Sequence, residues 1–310
     1  MPNHTCAYTI WNAGREEPPQ CRRIAAFRLT PMRDRRDRIL RALLAAVCSA
    51  TCGCFGAMSQ ERPAPPCGGE EVAHGIVSRI IDARTFALED GREIRLAAIE
   101  VPPPQGSGSA PTSDGAATAA LAALAQGDDV VLRRADAGLD RYGRLVAYAY
   151  SDRDGDELFV QGELITSGFA QVGDRVGSRT CAADLLKREN SARAAKLGLW
   201  ADPYYEVLDA ETPTDVLAHR GRFALVEGRV FSVRESGPTI YVNFGRHWSD
   251  DFTVTVLKRN ERNFAAAGLD LKGLEGHRVQ VRGWIERRGA GGSPWIEAAH
   301  PEQIEIADHE

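Results

Sequence analysis

The chain has 310 residues, 43% of them hydrophobic and 26% charged, enough for two ordinary domains with cores of their own. Lys and Arg number 38 against 43 Asp plus Glu, a formal net charge of -5; residues 1–58 hold nine Arg against four acids, so the remaining 29 basic and 39 acidic residues sit near -10. An acidic body argues against broad, sequence-independent binding to nucleic acid, which needs a basic surface, and it leaves room for a local cluster of arginines.

Residues 1–30 show no clean periodicity. From Met32 the sequence reads MRDRRDRILRALLAAVCSATCGCFGA, a basic stretch, an apolar run and a small-residue end. That is the anatomy of a secretory signal. Arg41 interrupts the run, which is short for a spanning helix. Residues 1–58 are therefore read as an N-terminal extension and signal-like segment, with Met32 as the expected start and cleavage at Ala50, Gly56 or Ala57. The expected location is periplasmic or secreted, with no spanning segment in the mature chain. Cys48, Cys52 and Cys54 lack the Leu-x-Gly/Ala approach of a lipid-modified cysteine, which disfavours a lipoprotein anchor.

Residues 59–71 (SQERPAPPCGGEE) form a Pro/Gly-rich linker. Cys67 lies in it, and Cys181 is the one other cysteine beyond the signal. In an exported chain the two most simply make one disulfide, tying the lead-in to a later helix; two free thiols are the alternative. Two cysteines without a spaced His do not make a zinc site.

VAHGIVSRII alternates as a first strand. ARTFALED and REIRLAAIE then flank Asp90-Gly91, a hairpin-turn signal, and the alternation of Phe86 and Leu88 with Thr85 and Ala87 predicts a half-buried strand. Arg95 sits inside the third strand, Glu100 closes it, and Pro102-Pro103-Pro104 stops it. AATAALAALA predicts a helix capped by Ser113 or Asp114. DDVVLRRA and RLVAYAY are strands four and five. LFVQGELITSGFA reads as a helix of about three turns. CAADLLKRENSARAAKLGLW reads as a longer one, with Leu185, Leu186, Ala192 and Ala195 on its apolar stripe and Gly198 as its stop.

Three stretches carry a family resemblance: the hairpin with its Arg95-Leu96 strand and acidic end, the turn Asp140-Arg141-Tyr142-Gly143-Arg144, and the two helices that close on Gly168-Phe169-Ala170 and Gly198-Leu199-Trp200. In this order and spacing they resemble the staphylococcal-nuclease-like (thermonuclease) family over residues 72–200. The resemblance implies an SNase-like, five-stranded OB-type barrel with packed helices. It implies metal-assisted attack of water on a phosphodiester, with calcium held by a carboxylate pair, two arginines neutralising charge and a glutamate as base. Arg95 and Arg144 match the two arginines, as catalytic and phosphate-binding residues. Glu100 matches one metal carboxylate. The other falls on Arg84, a reversed charge, and the base falls on Pro103, which cannot accept a proton.

Arg84 leaves several readings open. It stands in for the cation, so that Arg84, Arg95 and Arg144 line one anion pocket; or it pairs with Glu100 and closes the site; or Glu100 holds Ca2+ weakly, with help from Asp82. For Arg144 an ion pair to Asp140 is the structural alternative. Asp114 is a remote replacement for the base, set against its role as a helix cap.

Residues 201–216 read as a second linker. Residues 217–308 have their own strand rhythm: GRFALVEGRVFSVRE, TIYVNFGRHW, DFTVTVL, a short helix at 262–267, then HRVQVRGWIERR and PWIEAAHPEQIEI paired across Gly289–Gly292. Five strands with a helix between the third and fourth is the OB-fold order, so the fold class is mainly β with packed helices (α+β), two OB-like barrels in series. Phe244, Trp248, Trp284 and Trp295 read as core rather than as a stacking site beside Arg246 and His247. The functional reading is an exported thermonuclease-family protein, a nuclease or phosphodiesterase (hydrolase) with a degenerate active site and nucleic acid or another phosphate-bearing ligand as partner. The alternative is a non-catalytic binding module for an anionic ligand or an envelope protein partner.

Overall fold

The computed structural model of the chain describes residues 65–102, 113–153, 155–247, 249–289 and 292–307. The signal-like segment, most of the linker that follows it, Pro103 and Trp248 lie outside the described residues. No helix among the described residues is long and apolar enough to cross a membrane.

The first barrel is built from β1 (Glu71–Asp82), β2 (Thr85–Leu88), β3 (Glu93–Leu96), β5 (Asp129–Leu139) and β6 (Leu145–Arg153). β1 pairs antiparallel with both β2 and β5, β2 with β3, β5 with β6, and β3 runs parallel to β6. The ladder closes on itself in the order 1-2-3-5-4-1, with helix α1 (Ser113–Ala125) between the third and fourth barrel strands. That is the OB topology. Closure gives each of these five strands a neighbour on both sides.

Several local expectations change. β2 is buried on both faces rather than one, because its second face is covered as well: Thr85, Phe86, Ala87 and Leu88 are all buried. The predicted third strand breaks in two. Ala98 takes a left-handed φ of 63° and separates β3 from β4 (Ile99–Glu100). Ser113 and Asp114 are the first two described residues of α1. The three-turn helix shortens to α2 (Val160–Thr166), because Leu158 and Phe159 are drawn into β7 (Asp156–Phe159), opposite Ser151 and Tyr150.

The last long helix is α3 (Arg179–Ala194), capped by the Ser178 hydroxyl, which accepts from the Cys181 amide at 3.1 Å. Its buried positions are Cys181, Ala182, Leu185, Glu189 and Ala192, so Ala195 leaves the predicted stripe and a carboxylate joins it. The helix stops at Ala195 and Lys196, before Gly198. Gly198 serves a different purpose: its backbone lies against that of Gly168, where a Cβ would come within 2.3 Å of the Gly168 carbonyl oxygen. The Leu199 amide donates to that same oxygen at 2.8 Å, so only two glycines let these chain segments meet.

Cys67 and Cys181 are joined by a disulfide, which ties the lead-in to α3. Ala147 to Ser151 of β6 are buried throughout. The Tyr150 hydroxyl donates to the Cys67 carbonyl at 2.7 Å and the Tyr150 ring stacks on Phe159.

Residues 201–216 carry a 3-10 turn at Pro203–Tyr205, strand β9 (Leu208–Asp209) and the start of helix α4 (Pro213–Ala218). Beyond them lie β10 (Phe223–Arg229), β11 (Ser232–Ser236), β12 (Thr239–Asn243), β13 (Thr253–Leu257), helix α5 (Lys258–Ala266), β14 (Arg278–Trp284), β15 (Glu286–Arg287), β16 (Pro294–Glu297) and β17 (Ile304–Ile306). The long first run bends at Val230–Phe231 into β10 and β11, which join different sheets. With β10/β11 as one bent strand and β14/β15 as another, the pairings β11–β12, β12–β13, β13 parallel to β16, β16–β15 and β14–β10 close a second OB circuit. Helix α5 lies between its third and fourth strands and starts four residues earlier than the sequence suggests. Phe244 is core, against Phe252, but Trp284 at the end of β14 is 40% exposed and Trp295 only half-buried.

Candidate functional site

The turn Ala83–Arg84 joins β1 to β2, and the Asp82 carboxylate fixes it by accepting the Arg84 amide at 2.8 Å. Arg84 is thereby aimed at β4. Its Nη1 forms an ion pair with Glu100 Oε1 and donates to the Ile99 carbonyl at 3.3 Å. Both side chains are mostly buried, 21% and 15% exposed. Burial pushes the Glu100 carboxyl above the usual carboxylate range, with Arg84 pulling the other way and Asp174 adding to the rise.

Arg95 lies opposite Thr85 in the β2–β3 ladder, and its Nη1 donates to Thr85 Oγ1 at 3.4 Å. Burial lowers its guanidinium pKa, and the charges of Arg84 and Arg144 push the same way. Among the described residues no carboxylate is within ion-pair distance of Arg95. Arg144 is otherwise engaged. Asp140 accepts the Tyr142 and Arg144 amides at 2.8 and 3.0 Å through Oδ1, and the Arg144 guanidinium at 2.7 Å through Oδ2. Burial opposes ionisation of Asp140, but these bonds hold its carboxyl below the usual range.

Arg84, Arg95 and Glu100 line one cleft of about 180 Å³ together with Asp136, Asp140 and Asp174. Asp136, Asp174 and Arg175 also line it, and nothing in their spacing signals this. Asp136 comes from β5, whereas Asp174 and Arg175 enter because β8 (Gln171–Val172) pairs antiparallel with β4, Gln171 opposite Glu100, and carries the following loop to the cleft. Pro103 lies outside the described residues, and of Asp114 only its place in α1 is described.

The strand that leads into this cleft is held from the second barrel. Glu189 on α3 is fully buried and accepts the Val172 amide at 2.7 Å. Arg282 on β14, 1% exposed, pairs with Glu189 at 2.8 Å and with Glu305 at 2.7 Å, and donates to the Val172 carbonyl at 3.2 Å. Burial alone would lower the Arg282 pKa, but Glu189 and Glu305 raise it above its ordinary value. Val172 therefore has both backbone groups fixed by one interdomain ion pair. Glu302 adds a second tie, accepting the Val176 amide at 2.8 Å.

Residues 93–202 match the family model of the staphylococcal nuclease homologue. The first barrel is staphylococcal-nuclease-like. No curated protein matches the chain.

The nuclease-like barrel does not fit the calcium that the matched family implies. Calcium takes six to eight oxygen ligands, several of them charged carboxylates. Here the Glu100 oxygen is taken by a guanidinium that carries the cation's sign. No group of three or more His, Cys, Asp or Glu side chains among the described residues could hold a metal ion.

Proposed function

We propose that the nuclease-like barrel is a binding module for a phosphate-bearing ligand, which it holds without hydrolysing. The observation that carries this reading is the Arg84–Glu100 ion pair, which places a fixed positive charge where the family chemistry needs an exchangeable one. Arg95, half-buried beside Thr85, is the group that would receive the anion; a guanidinium presents paired donors matched to phosphate oxygens. Arg144 would act at one remove, orienting Asp140 at the cleft wall and adding charge. Without a metal or an identified base, the general-base contribution alone, roughly a hundredfold to ten-thousandfold, is forfeited.

The family match favours a second reading, a nuclease of reduced activity on DNA or RNA. One assay separates them. The chain is incubated with single-stranded DNA and RNA, with calcium and with chelator, beside an Arg95→Ala variant. The binding reading expects no cleavage in either condition. Calcium-dependent cleavage that disappears in Arg95→Ala would establish the nuclease. We further propose export to an oxidising compartment; the Cys67–Cys181 disulfide supports it, since such bonds persist there. An envelope protein remains the alternative partner, tested by the same folded chain failing to bind any phosphate-bearing ligand.

A further inference from the structure

The second barrel carries a concentration of arginine and aromatic side chains that the first barrel's chemistry does not use. In the β11–β12 ladder Ser232 faces Asn243, Arg234 faces Tyr241 and Ser236 faces Thr239. Ile240 and Val242, which alternate with these, are buried in the core, so Arg234 and Tyr241 stand on the outer face. Glu235 points away from that face and is occupied by Lys258 and Lys272 at 2.7 and 2.8 Å. Phe231, at the bend between β10 and β11, is 47% exposed. Arg246 reaches over the Phe231 ring at 5.5 Å and Arg288, from the β15–β16 turn, over the Tyr241 ring at 5.7 Å.

These residues line one groove of about 520 Å³, in the range of ligand sites, with three arginines, two aromatic rings and no carboxylate among the described residues of its wall. Solvated surface arginines are ordinary, but here they gather in a chain that is acidic beyond residue 58, and each aromatic ring has a guanidinium beside it. We infer that this groove binds single-stranded nucleic acid. Arg234, Arg246 and Arg288 would meet successive phosphates, and Phe231 and Tyr241 would each take the face of a base, the combination that sequence-tolerant single-strand binders use. A duplex hides its base faces, a neutral polymer leaves the arginines unused, and a bare polyanion leaves the rings unused. Fold alone would not decide this; the lining does.

The test is fluorescence anisotropy of labelled oligothymidylate and oligouridylate with the full chain in chelator. An Arg95→Ala background removes the first barrel's anion group, so the groove is read independently of the proposal above. The expected result is binding whose log–log salt slope is about -2, from roughly 0.7 per phosphate contact over three arginines. Phe231→Ala and Arg234→Ala, both exposed and so unchanged in thermal melting, should each weaken binding, Phe231→Ala by roughly five- to a hundredfold. No binding at low salt would overturn the inference. So would binding that Phe231→Ala leaves unaltered and polyphosphate displaces as well as the oligonucleotide does, which would make the groove a plain anion patch.

Discussion

Replacing Arg282 by alanine is expected to destabilise the folded chain by about 3–5 kcal/mol, among the largest effects of any single side chain here. The reason is not the strength of the ion pair itself. Two charges buried together roughly repay their desolvation, and removing one leaves the other stranded. Glu189 would remain fully buried without its counter-ion, and the Val172 carbonyl would lose its donor. The paired replacement Glu189→Leu with Arg282→Met should cost far less, since no orphaned charge is left. Urea denaturation of the three variants measures this. A loss in Arg282→Ala no greater than about 0.5 kcal/mol, the scale of ordinary surface substitutions, would show that water reaches the pair and that the barrels are not locked through it. Because Val172 belongs to β8, the strand that carries Gln171 opposite Glu100, the same substitution should loosen the cleft in the first barrel.

The second large effect is expected from the disulfide. Cys67 and Cys181 are 114 residues apart, so the bond closes a long loop and removes much of the freedom of the unfolded chain. Replacing both by alanine should cost about 2–5 kcal/mol. The folded state loses contacts too. The lead-in that Cys67 anchors supplies the carbonyl to the Tyr150 hydroxyl, and both half-cystines are fully buried. Unfolding in urea with and without reductant gives the value. A midpoint insensitive to reductant, with the thiols shown to be released, would mean that the lead-in is held by packing alone.

Much of the scaffold is legible in the residues themselves. Asp90-Gly91 marks the hairpin, alternation marks the strands, and strand order with one intervening helix marks each OB circuit. Arg84 and Arg95 meet in one cleft because the Asp82–Thr85 turn and the β2–β3 register place them there, both short-range features; Glu100 joins them through the pairing of β4 with β8. What local pattern could not disclose depends on distant partners. Ala98 breaks the third strand by adopting a conformation that alanine disfavours, and its carbonyl accepts the Gly173 amide at 2.8 Å, 75 residues on. Glu189 reads as an exposed helical acid until Arg282 arrives from the other barrel. Gly198 reads as a helix stop, and its real constraint is the approach of Gly168. Arg234 and Tyr241 are ordinary strand residues until the β11–β12 register sets them opposite each other.

We propose that the Arg84 guanidinium takes the place of a metal at Glu100. The most direct test is the thermal midpoint of the full chain in millimolar calcium and in chelator, since an ion bound to the folded state stabilises it by mass action. The expected midpoint is the same in both, and equally insensitive to calcium in Glu100→Gln. A rise with calcium that Glu100→Gln abolishes would mean that Glu100 leaves Arg84 to hold the ion, and would contradict the proposal.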